Sequence, residues 1–331
     1  MKKYILYAII AALILLLSIT YVAFGVSVGE THVVKMERMS SDSLPRLLNE
    51  SSLFETSWNL CCSIRKLKTL KSGEYQIEQG ISTWDLVELM RQGDQSSILI
   101  RTDETRTLEG FCESLSGSLQ FKKEEYLAAI CAAMGSDTSA AGMAKATSVL
   151  FANSFAFQYS DTPEEIAKRF KNMHDDYWNE ERRRKSNDIG LSMHEVYVLA
   201  SIVKGECRHM EEAPEIAGLY LNRLKEGMLL QCDATVQFIA ERDQAQRILF
   251  DDLNVESPYN TYKVQGLPPG PIYIVEKEYI DAVLNPSVHR YLYMCAKDDG
   301  SGWHLFTDNF AVHSRNAMAY RRYMDKMNIK Q

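Results

Sequence analysis

The sequence predicts an α+β protein on a single N-terminal transmembrane helix, followed by a small α/β module and a larger mixed α/β domain. Three observations lead there. Residues 4–29 hold no charged side chain. Residues 71–120 alternate strand-like and helix-like patterns. From residue 191 onward, helical patterns give way to rigid Gly/Pro loops and a terminal hairpin.

At the N-terminus, Met1-Lys2-Lys3 precedes the uncharged run. At about 1.5 Å per residue, a run of that length crosses a bilayer core of about 30 Å. Lys2 and Lys3 belong on the cytoplasmic side, which puts the rest of the chain outside the cytoplasm. A cleaved signal peptide is the alternative, with Ala23-Phe24-Gly25 as a small-x-small site. The apolar run exceeds a usual signal core and favours a retained span over residues 4–28. The first cysteine is Cys61, which argues against a lipid-modified cysteine at a signal cleavage site.

Bulk properties exclude several classes. The chain has 331 residues, 46% hydrophobic and 24% charged, with a formal charge of −7. That describes an ordinary globular chain with no nucleic-acid partner. The dense basic run Arg182-Arg183-Arg184-Lys185 follows Glu180-Glu181 and reads as a solvated helix face. Seven cysteines, two of them adjacent at Cys61-Cys62, form no disulfide scaffold, and no paired CxxC supports zinc. His289, His304 and His313 show no ligand spacing on one element, so neither metal nor cofactor is expected.

Along the chain, residues 30–70 read as a connector, with strand character at 28–39 and a short helix at 43–48. Residues 71–77 turn into a strand, Ser82 caps a helix ending at Gly93, 97–101 is a second strand and 107–114 a second helix. Residues 122–134 and 163–185 are helical. Between them 135–145, rich in Gly, Ala and Ser, reads as a lid or surface loop. Residues 121–190 thus form a helical region ahead of the core at 191–331. Ser192-Met193-His194-Glu195 is a capping box. Pro214 opens a helix ending near Gly227. Residues 291–296 and 303–307 pair as a hairpin, and 310–327 closes the chain as an amphipathic helix.

The helix opened at Ser192 carries Glu206. Leu199, Ile202 and Val203 lie seven, four and three residues before it, on the same face. A carboxylate on an apolar face is costly to ionise, so its pKa rises and it can keep a proton for use as a general acid. A structural Glu, satisfied by an arginine or by backbone amides, is the other reading. Lys204 points about 160° away around the helix and is expected to face solvent or substrate.

Downstream segments are dense in usable groups. Gln231, Asp233 and Thr235 alternate with Cys232 and Ala234, and would form a polar row if extended. Tyr259-Asn260-Thr261-Tyr262 alternates aromatic faces with hydrogen-bonding groups, as a sugar ring requires. Gly266-Leu267-Pro268-Pro269-Gly270-Pro271 is a rigid exposed loop. Each piece alone reads equally as packing.

Taken in order, these pieces resemble the YceG-like (MltG-like) endolytic murein transglycosylases. The resemblance is strongest over residues 191–314. Its markers are Ala-Ser-Ile-Val…Glu206, Asn222-Arg223-Leu224, Gly227-Met228…Leu230-Gln231…Asp233…Thr235-Val236, Pro258-Tyr-Asn-Thr-Tyr262, Gly266-Leu-Pro-Pro-Gly-Pro-Ile272 and His304…Phe306…Asn309…His313. It implies that residues 71–120 are a LysM-like module, faintly echoed by Gly73-Glu74-Tyr75 and Gly80-Ile81-Ser82, and that a mixed α/β catalytic domain follows. Two departures stand out: Lys204 where the family carries a second Glu, and Ala152-Asn153-Ser154-Phe155 where it carries a Pro-Asp-Thr-Tyr-like stretch.

By this resemblance the chain cleaves peptidoglycan glycan strands internally, at the MurNAc–GlcNAc bond, on the outer side of the cytoplasmic membrane. Glu206 takes the place of the catalytic carboxylate. Gln231, Asp233, Thr235, Tyr259, Asn260, Tyr262, His304 and Phe306 are assigned to the substrate cleft, and peptidoglycan synthases are the implied partners. A hydrolase using Asp233 as second carboxylate, and a non-catalytic peptidoglycan-binding scaffold, are the alternatives.

Overall fold

The uncharged N-terminal run folds as one helix, α1 (Lys2–Phe24), in the computed structural model, which describes residues 2–240 and 252–327. Its stretch Lys3–Val22 is long and apolar enough to cross a membrane, and none of it is buried against the rest of the chain. The chain divides into two compact units. One comprises residues 1–100, 117–120 and 156–162; the other comprises 101–116, 121–155 and 163–331.

In the first unit α1 is followed by β1 (His32–Met36), β2 (Met39–Ser40), α2 (Leu44–Leu47), α3 (Ser52–Arg65), β3 (Thr69–Leu70), β4 (Gly73–Ile77), α4 (Thr83–Gln92) and β5 (Ser97–Arg101). β1 and β4 pair antiparallel with Val34 opposite Tyr75, and β2 pairs β3 with Met39 opposite Leu70. α4 has the limits the sequence predicts: the Ser82 hydroxyl accepts from the Asp85 N–H at 3.1 Å, and Gly93 leaves the helix with a left-handed φ of 73°. No element was expected over residues 52–65, yet α3 supplies much of this core. Phe54, Trp58 and Cys61, spaced by four and three residues, are fully buried against Leu70, Tyr75 and Leu86. Ser51 caps it by accepting from the Phe54 N–H at 3.2 Å.

The second unit holds most of α5 (Leu108–Ser118), α6 (Lys123–Ala133), α7 (Ala140–Thr147), the first residues of β6 (Ser154–Gln158), whose remainder belongs to the first unit, α8 (Pro163–Tyr177), α9 (Glu180–Asp188), α10 (Met193–Glu206), α11 (Ala213–Lys225), α12 (Asp233–Ile239), α13 (Lys277–Leu284), the hairpin β7 (Tyr293–Ala296) and β8 (His304–Thr307), and α14 (Phe310–Lys326). Three expectations are corrected here. The loop expected over 135–145 contains α7, because alanine is the strongest helix former and Ser139 caps it through the Gly142 N–H at 3.2 Å. The single helix expected over 163–185 is broken by Asn179, which caps α9 through the Arg182 N–H at 2.9 Å. The basic run is not simply solvated: Arg182 pairs with Asp281 at 2.9 Å, and Arg183 donates to the Trp178 carbonyl at 2.6 Å.

α10 is the axis of this unit. Its capping box forms as predicted, but the helix is enclosed on all sides: every residue from Val196 to Val203 is buried. Its few polar groups bind the segment that follows the Gly/Pro loop. The Ser201 hydroxyl accepts from the Ile272 N–H at 3.0 Å, and the Tyr197 hydroxyl accepts from the Val275 N–H at 3.2 Å. Lys204 joins them rather than facing solvent, donating to the Ile274 carbonyl at 2.9 Å and pairing with Glu276 at 2.8 Å. The strand-like segment lying along that side of the helix supplies the acceptors. A Cβ placed on Gly205 would fall 2.5 Å from the Ala234 Cβ. Only glycine there lets α12 approach the last turn of α10, and that approach brings residues 231–233 beside Glu206.

Candidate active site

Glu206 is the last residue of α10 and lines a cavity of about 430 Å³ in the second unit. Its carboxylate accepts the Cys232 S–H at 2.9 Å on Oε1. Burial pushes its pKa up; the Cys232 thiol and the Ala234 backbone N–H oppose that, Asp233 adds to it, and His304 opposes it. The net direction is upward, so the side chain holds a proton more readily than an ordinary carboxylate.

The stretch before α12 is held in a tight turn. Gln231 has a left-handed φ of 49°, a conformation that costs a non-glycine residue about 1 kcal/mol. It is held by hydrogen bonds: the Gln231 N–H donates to the Thr261 carbonyl at 3.0 Å, and the Cys232 N–H donates to the Thr261 hydroxyl at 2.9 Å. The polar row expected from an extended 231–235 is absent, because Asp233 begins α12. Gln231 and Asp233 remain on the cavity wall. Thr235 is fully buried and spends its hydroxyl on the Cys232 carbonyl at 2.7 Å and the Thr261 hydroxyl at 2.9 Å.

Tyr262 lines the cavity, and its hydroxyl donates to Asp233 Oδ1. Asn260 is fully buried; its amide donates to the Leu253 and Val255 carbonyls at 3.0 and 2.8 Å. Tyr259 packs against Phe238 with ring centroids 5.1 Å apart and the rings tilted by 43°. From the hairpin, His304 reaches the cavity, whereas Phe306 packs on Tyr291 at 5.9 Å. Of the nine residues singled out from the sequence, Glu206, Gln231, Asp233, Tyr262 and His304 therefore share one cavity. Thr235, Tyr259, Asn260 and Phe306 lie off its wall and brace the segments that form it.

The structure adds residues that pattern reading left aside. Glu212, 4% exposed, accepts from the His304 N–H at 2.8 Å and binds His304 Nδ1 at 2.9 Å. That contact takes Nδ1 and leaves Nε2 as the ring nitrogen available to the cavity. Arg223 donates to the Leu292 and Leu230 carbonyls at 2.6 and 2.8 Å, so it ties the start of the hairpin to the 229–231 turn. Tyr220 and His313 complete the wall; burial and the nearby Arg223 push the His313 pKa down. Tyr220 and Arg223 share α11, Glu212 lies just before it and His313 is on α14, so no single local spacing marks them. Asn222-Arg223 was visible as a motif, but its purpose was not.

A larger depression of about 760 Å³ lies between α6 and α8. Alanines 128, 129, 132, 133 and 167 form much of its wall, and its carboxylates Glu125 and Glu164 are exposed. The candidate site is assigned by chemistry, not size: only the smaller cavity holds a carboxylate whose ionisation is disfavoured.

The model of the YceG-like family matches residues 35–319. An endolytic murein transglycosylase of Bacillus subtilis is 33% identical over 186 residues, covering 55% of this chain and 49% of that protein. One of Streptococcus pneumoniae serotype 2 is 27% identical over 284 residues, covering 75% of this chain and 50% of that protein. The chain thus spans about half the length of these relatives. In fold it is similar to a crystallographically solved yceG-like protein from Listeria monocytogenes. The TM-score is 0.56 at 23% identity, over 86% of this chain and 98% of that one.

Proposed function

Because this chain belongs to the YceG-like family, we propose that it is a membrane-anchored lytic transglycosylase that cleaves peptidoglycan strands internally at the MurNAc–GlcNAc bond. The observation that carries this reading is Glu206: a carboxylate with a raised pKa, on the wall of a cavity of about 430 Å³.

Glu206 in its protonated form gives its proton to the glycosidic oxygen as the C1–O bond breaks. The sugar's own C6 hydroxyl then adds to C1 and loses its proton to the same carboxylate. The product ends in 1,6-anhydro-MurNAc, no water is consumed, and the carboxyl is regenerated. One carboxylate serves both steps because they are sequential. Gln231, Asp233, Tyr262 and His304 contact the sugars, while Thr235, Tyr259, Asn260 and Phe306 hold those contacts in place. α1 anchors the chain in the cytoplasmic membrane with the catalytic region on the extracytoplasmic side. Residues 71–120 act as a LysM-like glycan-binding module ahead of a helical region at 121–190 and the core at 191–331. Internal cleavage limits nascent strand length beside peptidoglycan synthases.

Asp233 supports a second reading. It lines the same cavity and lies near enough to raise the Glu206 pKa. A hydrolase needs such a second carboxylate, about 5–9.5 Å from the first. Mass spectrometry of glycan released by the full chain decides between them. A 1,6-anhydro end is expected, and a product one water heavier overturns the transglycosylase reading. The same digestion with Glu206→Gln is expected to yield no cleavage while glycan binding persists; binding without cleavage by the unaltered chain would leave only a scaffold.

A further inference from the structure

The steps above leave unused a side chain that touches the Glu206 carboxylate directly. Cys232 is 0% exposed, and its Sγ stands 2.9 Å from Glu206 Oε1. Its backbone is held on both sides: the N–H donates to the Thr261 hydroxyl at 2.9 Å, and the carbonyl accepts from the Thr235 hydroxyl at 2.7 Å. With the main chain fixed and a single torsion left, the sulfur has little freedom to leave the carboxylate. Tyr220, 1% exposed, is a further buried group that acts on the thiol.

We propose that Cys232 is a positioning residue for Glu206: its S–H occupies Oε1, so that the transferred proton is carried on Oε2, and as a weak donor it lets the carboxyl stay protonated. This rests on Glu206 being the general acid. A thiol is a poorer donor than a hydroxyl, so it orients the group while stabilising the anion only slightly. A hydroxyl in its place would favour the ionised form more, and a methyl not at all. Other groups also act on Glu206: Asp233 and the Ala234 backbone from α12, and His304 from β8. Glu206 in turn acts on Tyr220 of α11 and Tyr262 of its loop. All of them are unchanged when position 232 alone is varied.

The experiment compares the full chain with Cys232→Ala and Cys232→Ser on purified glycan strands across pH. As the acid must be protonated, kcat/KM falls as pH rises through its pKa. The expected midpoint of that fall is highest in Cys232→Ala, intermediate in the unaltered chain and lowest in Cys232→Ser, with steps of about 0.5–1 pH unit. Cys232→Ala is expected to lose about tenfold in kcat from lost orientation, with KM unchanged, and Cys232→Ser to recover most of it. Coincident midpoints, or both variants moving the same way, would make Cys232 a packing residue and overturn the inference.

A second measurement is independent of catalysis. The infrared S–H stretching band of Cys232, assigned by its loss in Cys232→Ser, is expected to move to lower frequency as Glu206 ionises. A band that does not move through the titration overturns the inference, whatever the glycan assay reports. Unimpaired cleavage by Glu206→Gln would instead overturn the acid role while leaving this band shift in place.

Discussion

Glu206 and Glu212 are six residues apart, and their carboxylates are opposite in kind. Glu212 is nearly sealed from solvent and takes two nitrogens of His304, the backbone N–H at 2.8 Å and Nδ1 at 2.9 Å. Glu206 accepts the Cys232 thiol, with Asp233 nearby, and burial drives its pKa up. The difference is the quality of the donors. A carboxylate spent on two nitrogen donors acts as a bracket, here for His304. A carboxylate with one weak donor remains able to carry a proton.

Substitutions test that contrast. The largest expected effect is on rate: Glu206→Gln lowers glycan cleavage by about 10²–10⁴-fold, read by product mass over time. Equal cleavage would erase the distinction. Next is Glu212→Ala, which leaves two buried donors of His304 unpartnered and is expected to lower unfolding stability by about 3 kcal/mol in denaturant titration. A loss no larger than that of Glu206→Gln would mean that the two carboxylates are equivalent.

A smaller effect separates the site from its support. Lys204→Met removes the contacts to Ile274 and Glu276 and is expected to cost about 1 kcal/mol of stability. It should not move the pH at which cleavage falls off, because Lys204 is not among the groups acting on the Glu206 pKa. The smallest effect concerns stability against pH. Because the folded-state pKa of Glu206 is raised, the folded chain holds that proton longer than the unfolded chain does. Its contribution is fully present below the unfolded carboxylate pKa and is lost as pH rises through the folded value. The melting temperature of the chain should therefore fall relative to that of Glu206→Gln over that window and then run parallel to it. A constant gap would mean that Glu206 has an ordinary pKa in the folded chain.

Local chemistry made much of the fold legible. Ser82, Gly93, Ser192 and Pro214 mark their helix ends because caps are satisfied by neighbours within a few residues. The β7–β8 hairpin follows from its turn, and α1 from its lack of charge. Local chemistry also misled where one composition fits two states. The alanines of α7 read as a loop because Gly and Ser flank them, and the break at Asn179 was hidden inside a continuous helical pattern. α3 was passed over although its apolar spacing was present.

The site divides along the same line. Glu206 could be singled out because a carboxylate that ends an apolar helix is anomalous wherever the helix goes, and Gln231, Asp233, Tyr262 and His304 because their motifs carry chemistry in short runs. Pairing lay beyond reach. That Cys232 faces Glu206, that Glu212 holds His304, that Lys204 turns inward to Glu276, and that Thr235 and Asn260 brace the wall rather than line it all depend on contacts across many residues of chain. The approach of α12 to α10 at Gly205 creates the first of these, and no periodicity along the chain encodes it. Sequence pattern reports what a residue can do; the donors that reach it in the folded chain set which of those things it does.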